Sequence, residues 1–195
     1  QSGALAQGAS ATALGFYAGN SSQSGNATAV GTQAGETSQG GSAVAVGRQA
    51  GKTTQGQQTV AIGNTAGMTT QGALGVAVGA GAAATSQGIY GVAVGADAGA
   101  ASQGTYSVAV GNEAGKTSQG SGSVAVGTSA GETNQGGGGI IINATGAALD
   151  DTVAGHIHIA SSLASFDFDY GDGTNNGEWS FSTGDVSMPA NLDVR

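Results

Sequence analysis

Aliphatic side chains alternate with alanine in a short stretch that returns every sixteen residues, in fixed register, from the N-terminus to about Gly136. The unit is plainest from Gln55 to Thr70, QGQQTVAIGNTAGMTT. A first aliphatic column runs through Val44, Val60, Val76, Val92, Val108 and Val124, and a second through Leu14, Val30, Val46, Ile62, Val78, Val94, Val110, Val126 and Ile142. The two columns lie two residues apart, so each pair occupies one face of a short strand. Between them Ala13, Ala29, Ala45, Ala61, Ala77, Ala93, Ala109 and Ala125 face the other way. Gly15, Gly31, Gly47, Gly63, Gly79, Gly95, Gly111 and Gly127 follow the strand, where a corner needs positive φ or close backbone approach.

A fixed short period makes each unit one turn of a stack, because no single turn has enough apolar surface to fold alone. Collagen needs glycine at every third residue. The calcium-binding nonapeptide roll needs an aspartate in each repeat, and helical repeats need long stretches of 3.6-residue period. None fits. The expected fold is all-β: a parallel β-roll or β-solenoid of sixteen-residue turns over residues 1–143, followed by a small β-rich capping or trimerisation module over 144–195. Turns stacked about 4.8 Å apart put identical residues in ladders. Gln39, Gln55, Gln71, Gln87, Gln103 and Gln119 are therefore expected to form an amide ladder. The hydroxyl pairs before them, such as Thr53 and Thr54, suit a turn.

Both strand faces are apolar, whereas a lone solenoid needs only one. The alanine column is accordingly assigned to a close-packed interface between copies, Ala13 to Ala125 lying near the axis of a homotrimer. The columns themselves do not select three over two.

Composition sharpens this. Glycine makes up 39 of 195 residues, charged and aromatic residues are few, and cysteine is absent, so no disulfide or thiolate site supports the fold. The strict valine and alanine columns argue for order in spite of the glycine. The net charge of −8 gathers after Ile140, where eight acidic side chains face Arg195 alone. Nucleic acid and anionic membranes need a basic footprint and are not expected partners, and no run is apolar enough for membrane insertion.

Units such as GSAVAVGRQAGKTTQG and YSVAVGNEAGKTSQG resemble the repeats of trimeric autotransporter adhesin heads, and are also similar to stretches of phage and viral tail-fibre proteins. The resemblance covers roughly Ala11 to Ile142. It implies three left-handed parallel rolls in a rigid rod. The uniform spacing, the constant Gln-Gly corner and the lack of an obvious coiled-coil stalk favour a virion fibre for host attachment, located on the virion surface or otherwise extracellular, with a host receptor or glycan as its target. A bacterial trimeric autotransporter adhesin head is the first alternative. An ice-binding β-solenoid is the second; it needs a flat double rank of hydroxyls, and adjacent pairs such as Thr53 and Thr54 are expected to point to opposite sides. No catalytic set is visible, and Glu36, Asp97, Glu113 and Glu132 are scattered, so no enzyme is expected.

After Gln135 the pattern breaks at four glycines, and Ile140, Ile141, Ile142 and Asn143 read as a final turn that caps the stack. Beyond it, His156 and His158 alternate with Ile157 and Ile159. In a trimer the two histidines of each chain could converge on the axis as six imidazoles suited to iron or another divalent transition metal, which resembles the His-x-His sites of some phage spike tips. An ordinary strand with a polar face is the alternative, and no other cofactor is expected. Phe166, Phe168 and Tyr170 alternate with Asp167 and Asp169 before a glycine-rich loop ending at Glu178, which lacks the glycine position and the helices of a calcium hand. Glu178 to Ser182 and Asp185 to Met188 read as a hairpin closed by Pro189.

Overall fold

A computed structural model describes residues 6–161 and contains no helix among them. From Ser38 onward each turn contributes one strand to each of two parallel sheets, and the first two turns join the second sheet through single bridges at Gln7 and Gln23, giving a β-solenoid of about nine turns spaced about sixteen residues apart. The first sheet has ten strands, from Thr12–Leu14 through Val44–Val46, Val76–Val78 and Val108–Val110 to Ile140–Asn143 and Ile157–Ala160. The second has eight, from Ser38–Gln39 through Thr70–Gln71 and Ser102–Gln103 to Ala130–Gln135 and Leu149–Asp151. We call them the valine sheet and the glutamine sheet. Register is exact in sequence: Ala45 pairs with Ala61, and Gln55 with Gln71.

Glycine makes the corner after each valine-sheet strand possible. Gly31 has φ of +128°, a region closed to L side chains, and a Cβ there would lie 2.6 Å from the carbonyl oxygen of Gly47 one turn on. Two further corners are left-handed but occupied by ordinary residues. One runs through Ser10, Asn26, Ser42, Gln58, Leu74, Tyr90 and Tyr106, with φ between 54° and 61°. The other runs through Tyr17, Gln33, Gln49, Thr65, Asp97, Glu113 and Ser129, with φ between 52° and 60°. Inter-turn backbone hydrogen bonds hold these corners, such as Thr65 N–H to the Arg48 carbonyl at 2.9 Å and Tyr90 N–H to the Ala73 carbonyl at 3.1 Å. A left-handed residue costs about 1–2 kcal/mol, and the hydrogen bonds on both sides of the turn offset it.

The lumen between the sheets is lined by methyl groups. Ala29, Ala45, Ala61, Ala77, Ala93, Ala109 and Ala125 are fully buried, and so is a second column, Ala18, Ala34, Ala50, Ala66, Ala82, Ala98, Ala114 and Ala130. The valine columns on either side of the first alanine column point outward and are half-buried or exposed, Ile62 at 40% and Val110 at 36%. This inverts the expected assignment: the alanines are the interior of one chain, and the aliphatic face looks out. The reason is steric. The lumen is already filled by a second alanine column and by buried glutamine side chains, so no room is left for a Val at every turn.

The roll also runs past residue 143. Ile140–Asn143 pairs with Ile157–Ala160 in a seventeen-residue step, Ile140 against Ile157, and Ala130–Gln135 pairs with Leu149–Asp151. Ile141 ends the alanine column at 1% exposure. Asn143 takes the corner position held by glycine in earlier turns and ties the loop: its Nδ2 donates to the Thr128 and Ala147 carbonyls, and its Oδ1 accepts from the Thr145 N–H and hydroxyl. Ile140–Asn143 is therefore not the final turn that the sequence suggests, because the strand Ile157–Ala160 stacks on it.

The two kinds of corner give opposite expectations for substitution. Gly31→Ala should lower stability in urea by roughly 3 kcal/mol, from backbone strain and the clash with Gly47 together. Gly122, with φ of +67° and open space where a Cβ would be, occupies the corner that holds Asn26, and Gly122→Asn should change stability by less than about 0.5 kcal/mol.

Candidate functional site

The surfaces of the roll differ sharply. Among the described residues, every exposed large apolar side chain lies on the outward face of the valine sheet, at the corners flanking it, or in the loop before its last strand. Leu14, Ile62, Val110, Ile142, Ile157 and Ile159 are on the face itself. Phe16 and Tyr17 mark one flanking corner; Leu74, Ile89, Tyr90 and Tyr106 mark the other; Val153 is in the loop. Tyr90 and Tyr106 stack on successive turns with ring centroids 5.0 Å apart and planes 10° from parallel. One aliphatic column runs in register through all ten strands and the other through the eight from Val44–Val46 onward, after Thr12 and Thr28, a contiguous apolar surface rather than scattered residues.

The glutamine sheet presents hydroxyls. Thr53 and Thr54 are both exposed, as are Thr37 and Ser38, Thr85 and Ser86, and Thr117 and Ser118. The expectation that adjacent hydroxyl residues point to opposite sides does not hold, because the strand is only two residues long and the first of each pair still belongs to the turn. The result is a double row of hydroxyl side chains along the stack, broken at Ala101.

The glutamines are buried, Gln39 and Gln71 at 1% exposure, and their amides hold the lumen together. Gln71 Nε2 donates to the Val60 carbonyl at 2.8 Å and to the Gly75 carbonyl at 3.3 Å. Gln39, Gln87, Gln103 and Gln119 repeat the arrangement. Along the stack the amides join in pairs: Gln23 to Gln39, Gln55 to Gln71, Gln87 to Gln103 and Gln119 to Gln135. The Oε1 atoms of Gln23, Gln55, Gln87 and Gln119 accept no hydrogen bond. A glutamine amide has two N–H groups, and two strand carbonyls compete with the next amide for them, so the ladder is interrupted at every second turn.

His156 and His158 lie at the last described turn. His158 is in register with Ile141, so it continues the alanine column, while Ile157 and Ile159 continue the outward aliphatic columns. Both imidazoles turn toward Asp151 of the glutamine sheet: its Oδ2 is 3.2 Å from His156 Nδ1 and 3.9 Å from His158 Nδ1. The Val153 N–H, 3.1 Å from Oδ1, holds the Asp151 carboxyl below the usual aspartate range, with His156 adding to the effect. The shared face expected for the two histidines is present, and it is the face opposite the exposed isoleucines. Among the described residues no group of three or more histidine, cysteine or acidic side chains is arranged to hold a metal ion. Nor is any helix among them long and apolar enough to cross a membrane. The aromatic alternation at Phe166 to Tyr170, the loop to Glu178 and the hairpin to Pro189 lie outside the described residues.

Sequence reasoning missed the second alanine column, although an alanine precedes a glycine in nearly every turn; the signal was its invariance. It also missed the stacked tyrosines, because residues sixteen apart become neighbours only once the pitch is known. These surfaces define a repetitive parallel solenoid with one apolar and one hydroxyl-bearing face. Comparison with protein-family models, curated proteins and solved structures finds no match to this chain.

The buried amides generate a pH-dependent test. Gln71→Leu removes three hydrogen bonds, those to the Val60 and Gly75 carbonyls and the one accepted from the Gln55 amide, an expected loss of roughly 3 kcal/mol at about 1 kcal/mol each. Gln71→Glu should lose at least as much at neutral pH, because burial raises a carboxyl's folded pKa above its unfolded value near 4.3. That loss grows as pH rises from the unfolded toward the folded pKa and shrinks again near pH 4. Urea denaturation of both variants at pH 4 and pH 7 separates the two behaviours; a Gln71→Glu variant insensitive to pH would contradict the burial.

Proposed function

We propose that the chain is a structural fibre protein of a virion, a tail or surface fibre, in which parallel rolls associate as a homotrimer to form a rigid rod for host attachment. The observation that carries the reading is the outward aliphatic face of the valine sheet, which is continuous from Val44 to Ile159. A surface of this length and uniformity is exposed in a lone chain, and water contact along it is unfavourable at about 25 cal/mol per Å². A partner that matches it at every turn needs the same sixteen-residue pitch, which another copy of the chain supplies. The interface of the proposed trimer is thus formed by the outward valine and isoleucine columns, with the hydroxyl rows turned to solvent. The resemblance of the repeats to those of fibre proteins and adhesin heads supports the reading, and the near-neutral roll with no clustered charge suits a rod.

The chain in solution should have a mass three times its 18.3 kDa by light scattering. Val78→Lys with Val94→Lys should reduce this to monomer while far-ultraviolet circular dichroism is retained, because both side chains are on the outward face; a monomeric parent chain would refute the trimer. For the biological role, antiserum to the chain should decorate projections on purified virus particles and block their adsorption. Detection of the chain only in bacterial envelopes would instead favour the adhesin head.

A second reading is supported by the double hydroxyl row. Ranked Ser and Thr side chains about 4.8 Å apart on a parallel sheet are a plausible match to ordered water, which is the requirement of an ice-binding solenoid. Thermal hysteresis that disappears with Thr54→Lys and Thr70→Lys would establish it, and absence of hysteresis in the parent chain would remove it.

A further inference from the structure

The two corners that flank the valine sheet are not independent. The corner preceding each strand carries large apolar residues on three successive turns, Leu74, Tyr90 and Tyr106; the corner following the same strands carries Ala80, Ala96 and Asn112. Alanine occupies the second corner on two of the regular turns only, and these are the turns that bear Leu74 and Tyr90. Charge follows the same rule. The second corner has an acidic residue at its left-handed position on two turns only, Asp97 and Glu113, and these are the turns that bear Tyr90 and Tyr106.

Within one chain the two corners lie on opposite sides of the sheet, so the correspondence serves no contact inside the roll. In a ring of copies whose axis is parallel to the stack, the leading edge of one valine sheet meets the trailing edge of the next at the same height. We propose that the tyrosine corner of one copy docks on the small, acidic corner of its neighbour turn for turn, and that this pairing sets the axial register between otherwise repetitive rolls. Tyr90 would lie over Ala96 with its hydroxyl donating to Asp97, and Tyr106 over Asn112 with its hydroxyl donating to Glu113. The inference rests on the parallel assembly proposed above.

The single-chain geometry leaves these groups accessible, with Asn112 Nδ2 donating to the Ala96 carbonyl at 3.3 Å. Tyr90 and Tyr106 are 46% and 65% exposed, and Ala96 and Asn112 are exposed. The Asp97 carboxylate lies over Gly81 of the preceding turn, where no side chain competes for the space. Glu113 receives Lys116 on Oε1 at 2.8 Å, which leaves its other oxygen as an acceptor. The reason a register device is needed is general: a stack with nearly identical aliphatic columns can slip by one whole turn and bury almost the same surface. Bulky residues confined to three adjacent turns make one alignment better than the others, as a polar residue at one position does in a coiled coil.

The chain has no cysteine, so introduced thiols report cleanly. Tyr90→Cys combined with Ala96→Cys should form interchain disulfides on mild oxidation and run above the monomer on a non-reducing gel. A disulfide needs Cα atoms within about 7 Å, and the strand Val92–Val94 with its flanking glycines holds the two positions roughly 13 Å or more apart within one chain. Tyr90→Cys combined with Asn64→Cys, two turns and roughly 10 Å out of level, should not cross-link. Tyr106→Cys with Asn112→Cys repeats the test should the first pair fold poorly. Separately, Tyr90→Ala with Tyr106→Ala should weaken assembly about tenfold or more in sedimentation equilibrium. An assembled chain that fails to cross-link at matched turns, or that cross-links equally well out of level, overturns the corner pairing and leaves the assembly standing. A parent chain that is monomeric by light scattering overturns both.

Discussion

The rest of the structure depends on the width of the lumen. Two alanine columns, one glutamine column and a column of small residues such as Ala43, Thr59 and Ser107 fill the interior, and no large aliphatic side chain is fully buried before Ile141. A core this narrow buries little apolar surface per turn, so the backbone hydrogen bonds that run along the stack and the amides that satisfy inward strand carbonyls carry more of the stability than in an ordinary sandwich. It also sends the two valine and isoleucine columns outward. The apolar exterior follows from the interior being built from methyl groups.

The glutamine has a role that alanine cannot fill. Its amide reaches across the lumen from the glutamine sheet to the carbonyls of the strand opposite and of the turn between, as Gln71 does to Val60 and Gly75. The amide is a second donor there, since the Gly75 carbonyl also accepts the Val60 N–H, and each such bond contributes about 0.5–1.5 kcal/mol. The adjacent glycine column has a matching constraint, since a Cβ at Gly35 would lie 2.7 Å from Gln39 Oε1. Ala83 is the exception, a left-handed alanine with φ of 48° in a column otherwise held by glycine, and it shares its turn with Gln87, one of the amides whose Oε1 is unpartnered.

The sixteen-residue period, the parallel strands, the glycine corner and the stacking of the glutamines in register were all legible in the sequence, because each is a column and columns survive without knowledge of which way the strand faces. What was not legible was the direction. A strand reading Val-Ala-Val has apolar groups on both sides, and the usual rule that the larger ones go inside fails when a second column, Ala18 to Ala130, and a row of amides already occupy the lumen. The hydroxyl pairs were misread for a related reason: alternation holds within a strand, and Thr53 stands just outside the two-residue strand Thr54–Gln55. The length of the roll was underestimated because the last turn takes seventeen residues and replaces the glutamine by Asp151, so the column test stops seeing it one turn early.

The same reversal bears on the histidines. The expectations of an alanine-lined axis and of a histidine-lined axis look like two separate ideas, yet His158 is in register with Ile141 at the end of the alanine column, so they describe one face of one sheet. When the alanines go inside, the histidines go with them, toward Asp151 and the open end of the roll, and Ile157 and Ile159 extend the outward columns instead. An axis formed by those columns would be aliphatic over the described residues, with no imidazole pointing at it. Any role for His156 and His158 in metal binding between chains would then require the last strand to turn over relative to the nine before it, against the parallel register that pairs Ile140 with Ile157 and Ile142 with Ile159.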